Sequence, residues 1–369
     1  MSGIHLTTDG CQRRRQRLLE LMAHRQVDLV VLTQLEHVQW LTGARFAWFF
    51  RAAAALCSNG RVVLAAPENR VPDHVVADEV ITYPARWHST MRNDQMAACI
   101  AALVGGLGRG PCPSHRIGCE FSTFPPHWPM TDRTHIIDIE PELYRLRRHK
   151  EPDELALIRR ALEATEKMYQ RAREIVRPGI NELDVFNELQ SVAVRELGEP
   201  LTATGNDYQS GQRGGMPRDR VIEPGELYIL DLGPAYRGYF ADNARTLAVT
   251  EPTDAQLQAW QAVCEVFPVV ESWVRPGASA RGLFEAVQQQ LNQTGLGRFD
   301  HHLGHGIGLF PHEGPHLNPH WDDTFAEGDV FTAEPGLYGA DLRAGLRLEN
   351  DYLVTASGVE LLTPYPLEL

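Results

Sequence analysis

The segment LYILDLGPAYRGYFADNARTLAV, residues 227–249, indicates how the second half of the chain is built. Its opening apolar run is typical of an interior strand, so the acid that ends the run, Asp231, needs a reason to be there. The glycine- and proline-containing stretch that follows predicts a hairpin. If the hairpin is centred between Tyr236 and Arg237, Asp242 lies directly opposite Asp231. Opposed like charges destabilise a sheet unless a cation lies between them, although aspartates are also common at solvent-exposed strand ends.

A histidine-rich segment follows at residues 301–316, HHLGHGIGLFPHEGPH, with five histidines in sixteen residues. A lone histidine is usually structural, but such a cluster among glycines indicates a functional site. The glycines on either side of His305 would let the backbone pass close to a ligand or a metal ion.

Two further acids complete a set of metal-type ligands. Glu334 ends an apolar strand, and Glu349 shares one face of an alternating strand with Arg347. Four carboxylates and one imidazole, without a thiolate, suit Mn²⁺, Co²⁺ or Fe²⁺. So many acids exceed the needs of one ion, which favours two ions bridged by carboxylates. The expected ligands are Asp231, Asp242, His305, Glu334 and Glu349.

The first part of the chain alternates strands with helices, which predicts an α/β domain. A break at residues 140–142 and a basic stretch after it place the domain boundary near residue 147. We therefore expect an N-terminal domain over 1–146 and a catalytic domain over 147–369. Strands are predicted at 27–32, 61–66, 80–83 and 116–119, and helices at 12–25, 94–105, 151–176, 182–196, 254–274 and 280–294.

Length and composition limit the class of protein. With 369 residues, the chain is too long for one ordinary core. A formal net charge of −13 argues against a nucleic-acid partner. We find no secretion signal at the start of the chain and no apolar run long enough for a membrane span. The six cysteines show no CxxC pair, so we expect reduced thiols and a cytoplasmic location.

The motifs DLGPAYRGYFADNART, HHLGHGIGLFPHEGP, TAEPG and RLEN together resemble the aminopeptidase P, prolidase and creatinase family. VDLVVLTQLEHVQWLTG is similar to the smaller N-terminal domain of that family. The resemblance implies the α+β pita-bread fold for the catalytic half and a homodimer. It also implies two divalent metal ions, manganese first, with cobalt, iron or zinc as alternatives.

The resemblance also implies a role for each residue of the site. Asp231 would bind one metal, His305 and Glu334 the other, and Asp242 and Glu349 would bridge the pair. Glu334 would also transfer a proton. The remaining matched positions are His301 and His312, which would bind substrate and stabilise the tetrahedral intermediate. Arg347 matches an arginine just before the last ligand, and we expect it to bind substrate.

One stretch departs from the family pattern. Peptidase members carry a further histidine about seventeen residues before the first aspartate, where this chain reads SGQRGGMPRDR, residues 210–220, with a glycine near Gly214. Arg213 could instead bind an anionic group of the substrate, or it could be a surface arginine. Asn350 also replaces the usual aspartate after the last ligand.

The expected function is therefore hydrolysis of a C–N bond in a small peptide or amino-acid-derived substrate, as in an Xaa-Pro aminopeptidase or dipeptidase. The missing histidine keeps open a second interpretation, a non-peptidase on the same scaffold such as a small-molecule amidohydrolase or a metal-dependent lyase. A binding or scaffold protein on a retired enzyme fold is the third. Buried carboxylates are costly without a metal ion, which argues against this last interpretation.

Overall fold

The computed structural model describes residues 4–112, 115–124 and 127–369. The chain forms two compact units, Met1–Arg147 and Arg148–Leu369.

The first unit is built on a mixed six-stranded sheet in the order β4-β3-β2-β1-β7-β8. All four strands predicted here are present, and so are both helices. The helices of this part are α1 Thr8–Arg25, α2 Leu35–Thr42, α3 Gln95–Leu107 and α4 Glu140–Arg148. The strands are β1 Leu29–Leu32, β2 Ala53–Cys57, β3 Val62–Pro67, β4 Glu79–Tyr83, β5 Arg86–Trp87, β6 Thr90–Met91, β7 Arg116–Cys119 and β8 His135–Asp138.

Strand β2 was not predicted, although it lies in the middle of this sheet. Its sequence, AAALC, consists mostly of alanine, the residue with the highest helix propensity. Every residue of β2 is buried, and the strand pairs antiparallel with β1 on one side and β3 on the other. Burial between two strands therefore overrides the local preference for helix.

The expectation that all six cysteines are reduced is wrong in one pair. Cys57, at the end of β2, forms a disulfide with Cys112, and their Cα atoms lie 5.5 Å apart. A separation of 55 residues gives no recognisable spacing in the sequence. The side chain of Asn59 donates a hydrogen bond to the carbonyl of Pro111 beside this disulfide, so two distant segments meet here. The free cysteines are Cys11, Cys99, Cys119 and Cys264.

The second unit is an α+β structure with the predicted order of helices and strands. Its helices are α5 Pro152–Ile175, α6 Glu182–Leu197, α7 Asp254–Cys264, α8 Val266–Trp273 and α9 Ala280–Gln293, with a short 3₁₀ helix at Ala340–Leu342. The strands are β9 Asp207–Ser210, β10 Leu227–Leu232, β11 Ala235–Tyr236, β12 Tyr239–Phe240, β13 Asn243–Ala248, β14 Gly304–Gly306, β15 Glu313–Leu317, β16 Val330–Ala333, β17 Gly336–Gly339, β18 Ala344–Arg347, β19 Asn350–Val354 and β20 Val359–Leu361.

Two larger sheets shape this unit. One has three strands in the order β13-β10-β9, and the other has five in the order β15-β14-β16-β19-β20. Helix α5 begins with Pro152 at its first turn and a capping box between Glu151 and Glu154. The single helix expected at 254–274 is instead two helices, α7 and α8, which meet at Glu265.

The predicted hairpin exists, but its register is wrong by two residues. Strands β10 and β13 pair Asp231 with Ala244, not with Asp242. The turn is centred between Arg237 and Gly238, both of which have positive φ. That turn conformation, favoured by glycine, sets the register of a two-residue hairpin. Asp242 consequently lies just beyond β12 and diagonal to Asp231.

The core of the second unit lies under the five-stranded sheet and helices α7 to α9. Leu346 and Leu348 are fully buried in it, which confirms that they point away from the face predicted for Arg347 and Glu349. In the described part of the chain, no helix has both the length and the apolar character needed to cross a membrane.

Candidate metal and active site

Three acids from separate strands meet at the centre of the second unit. Asp231 comes from β10, Asp242 follows β12, and Glu349 lies between β18 and β19. One carboxylate oxygen from each lies within 4.8 Å of the others. Their exposed fractions are 7%, 6% and 1%. The structure therefore brings together three of the five expected ligands, although they are far apart in the sequence.

Backbone hydrogen bonds fix Glu349 next to the first sheet. Its N–H donates to the carbonyl of Ala244 at 2.9 Å. Its carbonyl accepts from the side-chain amide of Asn243 at 2.7 Å and from the guanidinium of Arg245. The carboxylate of Glu349 is thus positioned by main-chain contacts with β13 rather than by its own rotamer alone.

His305, in β14, joins this cluster from the five-stranded sheet. Its Nε2 lies 3.6 Å from Asp242 Oδ2 and 3.6 Å from Glu334 Oε1. Its Nδ1 lies 3.1 Å from the carbonyl of Gly306 and can donate to it. That contact holds the proton on Nδ1 and leaves Nε2 free to act as a ligand. Burial lowers the pKa of His305 to about 3, so the ring is neutral.

The glycines beside His305 have a different role from the one expected. A β-carbon on Gly304 would lie 2.7 Å from the carbonyl carbon of Thr332, and one on Gly306 would lie 2.5 Å from that of Gly314. Both distances are too short for a side chain. The glycines therefore allow β15 and β16 to approach β14 closely, and they hold His305 between two strands.

Glu334 is held by a histidine that the sequence analysis did not select. His302 Nε2 lies 2.9 Å from Glu334 Oε1. Burial opposes the charged form of Glu334, but the hydrogen bond and charge of His302 outweigh it and hold the pKa of that carboxyl below its usual value. Burial also disfavours a charged His302, yet the bond to Glu334 keeps its pKa raised. The doublet His301–His302 was visible in the sequence, but spacing alone does not show which ring faces Glu334.

His301 lies beside the cluster and contacts Tyr338. Its Nε2 is 2.9 Å from the Tyr338 hydroxyl, and its Nδ1 is 2.7 Å from the carbonyl of His302. Burial lowers the pKa of His301 to about 4, so this ring is also neutral at pH 7.

His312 stacks on His305, with ring centroids 3.7 Å apart and planes inclined by 13°. One of its nitrogens, one of His305 and one carboxylate oxygen of Asp242 lie within 4.8 Å of one another. His312 itself is exposed, while the other two residues are buried. Its ring is thus placed over the cluster and faces the open side of the site.

Arg347 is buried against the acids. Its Nη2 donates to Asp231 Oδ2 at 2.8 Å and also to Asp207 Oδ2, and its Nε lies 3.8 Å from Glu334 Oε2. The sequence did not indicate Asp207, because the feature that stood out near this residue was the missing histidine at Gly214. The signal that could have revealed it is a second acid on the strand next to Asp231.

Arg213 lies at the edge of the site, with 51% of its side chain exposed. It forms an ion pair with Asp300, and its guanidinium carbon lies 4.1 Å from the centre of the Tyr338 ring. The residue lines the same cavity as the acids and histidines. Arg213 is thus a surface residue that also lines the cavity, and its binding of an anionic group stays a prediction.

The electrostatics of the acids fit bound cations. Burial and the neighbouring charges of Asp231 and Glu334 raise the pKa of Asp242 well above its usual value, and burial with the charge of Asp242 does the same for Glu349. Among the described residues, Asp231 Oδ1 and Glu349 Oε2 are buried without a hydrogen-bond partner. Buried carboxylate oxygens of this kind require a compensating positive charge. The residues therefore fit divalent ions.

Two adjoining cavities open on the cluster. The first has a volume of about 310 Å³ and is mostly polar in its lining, and the second has a volume of about 360 Å³. Both are lined by Asn206, Asp242 and His312. The second is bordered by small or apolar residues, including Ala203, Gly233, Phe240, Ala241 and Pro311.

Comparison with known proteins identifies the class. The sequence profile of metallopeptidase family M24 matches residues 156–356, and that of the creatinase/prolidase N-terminal domain matches residues 14–149. The Xaa-Pro dipeptidase of Pyrococcus furiosus is 31% identical over 236 residues, which are 63% of this chain and 67% of that protein. An uncharacterized peptidase of Bacillus subtilis, YqhT, is 28% identical over 254 residues, which are 68% of this chain and 71% of that protein. The chain therefore belongs to metallopeptidase family M24 and is a hydrolase of the metallopeptidase class.

Solved structures agree in fold. The Xaa-Pro dipeptidase from Bacillus anthracis superimposes with a TM-score of 0.81 at 24% identity, covering 97% of this chain and 99% of that one. The prolidase from Pyrococcus furiosus gives a TM-score of 0.77 at 22% identity, covering 94% and 99%. The expected α/β N-terminal fold and pita-bread catalytic fold are thereby confirmed.

We predict that the protein binds two divalent ions through the five expected ligands. Loading with Mn²⁺ followed by desalting should leave about two ions per chain by elemental analysis, and Asp242→Ala should lose both, because Asp242 contacts both halves of the cluster. Metal should also raise the Tm of the wild type, since an ion that binds only the folded state stabilises it.

The matched control is Asp322→Ala, which removes an aspartate whose side chain is 84% exposed. It should bind metal as the wild type does. Equal metal content in Asp242→Ala and wild type would contradict the assignment of the ligands.

Proposed function

We propose that this protein is a two-metal hydrolase of C–N bonds in small peptides, similar to an Xaa-Pro aminopeptidase or dipeptidase. The observation that supports it most is the buried cluster of four acids and His305 at the base of a cavity, with His312 placed above it. The Pyrococcus furiosus relative is named as an Xaa-Pro dipeptidase. We also infer a homodimer from the family resemblance. A cytoplasmic location stays our proposal from the sequence, although the Cys57–Cys112 disulfide removes the argument from reduced cysteines.

The five ligands divide naturally between two ions. Asp231 would hold one ion, His305 and Glu334 the other, and Asp242 and Glu349 both. Oxygen and imidazole donors favour manganese, with cobalt, iron or zinc as alternatives. When bound, such ions activate water and polarise a carbonyl group.

His312 is the residue best placed to stabilise the transition state. Although part of the ring is exposed, partial desolvation and the nearby His302 lower the pKa of His312, so the ring is neutral at pH 7 and offers one N–H donor. Stacking on His305 holds that donor next to the acid cluster, where the oxyanion of a tetrahedral intermediate would form.

Glu334 is the residue best placed to carry a proton. Its Oε1 is held by His302, and its carboxylate stays ionised because of that contact. An ionised, positioned carboxylate can accept the proton of the attacking water and deliver it to the leaving nitrogen. His301, held by Tyr338, is placed to bind the substrate beside it.

The size and charge of the cavities favour a small substrate with an anionic group. A volume of about 310 Å³ accommodates a dipeptide or a modified amino acid rather than a long chain. Arg213 borders this cavity, and its half-exposed guanidinium can exchange its ion pair with Asp300 for a substrate carboxylate. The neighbouring cavity, with its small and apolar lining, suits an uncharged side chain.

A second function is favoured by one observation. Residue 214 is a glycine, and a β-carbon there would lie 2.5 Å from the carboxyl carbon of Asp207. The wall of the cavity is therefore different from the histidine-containing wall implied by the family resemblance. A non-peptidase on the same scaffold, either an amidohydrolase or a metal-dependent lyase, would accommodate this difference.

A substrate screen separates these functions. We expect Mn²⁺-loaded protein to hydrolyse Xaa-Pro dipeptides with release of free proline. Small N-acyl and N-methylated amino acids test the amidohydrolase, and an unsaturated product would indicate a lyase. Turnover of none of these substrates by protein shown to contain two metal ions would contradict the proposed hydrolase.

We predict that His312→Ala lowers kcat by roughly a hundredfold or more while the metal content is unchanged, because its N–H acts on the transition state. Kinetics and elemental analysis of the same preparation check both parts. His320→Ala, which removes an exposed histidine of the same region, should retain wild-type kcat. Loss of metal in His312→Ala would make His312 a ligand instead.

We predict that Arg213 selects for a free carboxylate. The ratio of kcat/KM for an acid over its amide should fall in Arg213→Ala by roughly tenfold, the lower end for a charged hydrogen bond because the side chain is half exposed. Asp300→Asn should raise the same ratio, since Asp300 competes for this guanidinium. Equal kcat/KM for acid and amide in the wild type would make Arg213 a surface residue.

A further inference from the structure

Asp207 lies in an unusual position beside the acid cluster. In the register of β9 and β10 it is paired directly with Asp231. Only 17% of its side chain is exposed, and it lines the polar cavity. Two carboxylates opposite each other on adjacent strands repel, so this arrangement requires a cation between them.

Arg347 is that cation. One nitrogen, Nη2, donates to Asp207 Oδ2 and to Asp231 Oδ2. The other, Nη1, donates to the carbonyl of Arg213 and to the Tyr338 hydroxyl, each at 3.3 Å. A guanidinium has five N–H donors, so four are used by the protein.

The fifth donor of Arg347 does not face open space. Its Nε is buried without a hydrogen-bond partner among the described residues, and it lies 3.8 Å from Glu334 Oε2. No pair of parallel donors is left for a second carboxylate. The family resemblance gave no role for Arg347 beyond its place before Glu349, and substrate binding was our expectation for it. These contacts do not support that expectation.

Asp207 also determines which residue can occupy position 214. Its Oδ1 accepts a hydrogen bond from Gly215 N at 2.5 Å, which holds the carboxylate against the loop. A β-carbon on Gly214 would lie 2.5 Å from Asp207 Cγ. The φ of Gly214 is +151°, which further disfavours any side chain there. The carboxylate of Asp207 thus occupies the space that a side chain at position 214 would need.

We propose that Asp207 is a positioning residue that holds Arg347 on Asp231 and withdraws it from substrate binding. This proposal rests on the proposed function, because it assumes that the cavity binds a substrate. An acid at 207 and a side chain at 214 exclude each other. The cation that meets an anionic substrate group is then Arg213 at the edge of the cavity, and not Arg347 at its base.

The first test measures coupling between positions 207 and 214. Gly214→Ala should lower the Tm of the full chain, and the loss should be smaller when Asp207→Gly is also present, because the overlapping carboxylate is gone. The backbone strain caused by alanine at position 214 is the same with and without Asp207→Gly. A double-mutant cycle therefore isolates the overlap between the new β-carbon and the Asp207 carboxylate. Equal losses of Tm in the two backgrounds would overturn the spatial part of the proposal.

The second test measures whether Arg347 is available to an anion, with acetate as the probe. In an Arg213→Ala background, Asp207→Ala should tighten acetate binding roughly tenfold, because one N–H of Arg347 Nη2 loses its carboxylate partner and can donate to the acetate instead. Any acetate bound by the metal ions contributes equally to the affinities measured for Arg213→Ala and Arg213→Ala/Asp207→Ala. Asp207→Asn keeps an acceptor for Arg347. It should therefore change the logarithm of the acetate Kd by less than half as much as Asp207→Ala does.

Acetate binding is read from the shift in Tm of the metal-loaded protein as well as from inhibition. The Tm measurement does not need turnover, so it remains valid if no substrate is hydrolysed. If Asp207 had only a structural role, its replacement would lower the Tm without changing the affinity for acetate. Equal acetate affinity in Arg213→Ala and Arg213→Ala/Asp207→Ala would overturn the proposal.

Discussion

The second unit depends on the compensation of buried negative charge. Asp231, Asp242 and Glu349 place carboxylate oxygens within 4.8 Å of one another in a region almost closed to water. Burying one such group without a partner is costly, and burying three together is more so. The strands that carry them are fixed by their own hydrogen bonds, and the raised pKa values of Asp242 and Glu349 mean that these carboxyl groups need a nearby cation to stay ionised.

Arg347 supplies positive charge to one of the two carboxylate oxygens of Asp231. Oδ2 receives the guanidinium of Arg347, while Oδ1 has no hydrogen-bond partner in the described part of the chain. One oxygen is therefore satisfied by the protein and the other is left for a cation. The ion pair between Arg347 and Asp207 therefore lies on one side of Asp231. The carboxylate oxygens that could bind a cation lie on the other side, next to Asp242.

His305 and His312 are positioned by packing rather than by charge. His305 is held between two strands that approach closely because Gly304 and Gly306 have no side chains. His312 then stacks on it and reaches the cavity. Since the rings of His301 and His305 have lowered pKa values because of burial, they stay neutral and can act as hydrogen-bond or ligand groups at pH 7.

The sequence by itself indicated the five expected ligands, because core packing alone seldom requires an acid at the end of an apolar strand or a histidine among glycines, but it did not indicate His302 or Asp207. It also determined most of the helices and several of the strands, because hydrophobic periodicity is a local property. It could not give the hairpin register, which depended on the turn at Arg237 and Gly238, nor β2, whose alanines favour helix until two strands bury them.

Only the tertiary structure decided the contacts between distant segments. Asp207 lies 140 residues from Arg347, and Cys57 lies 55 from Cys112, so no spacing in the sequence connects them. Likewise, His302 rather than His301 faces Glu334 because of the path of the chain before β14. The physical reason is that ion pairs, ring orientation and overlap depend on distances of a few ångströms, which are set by the packing of whole strands and not by any one segment.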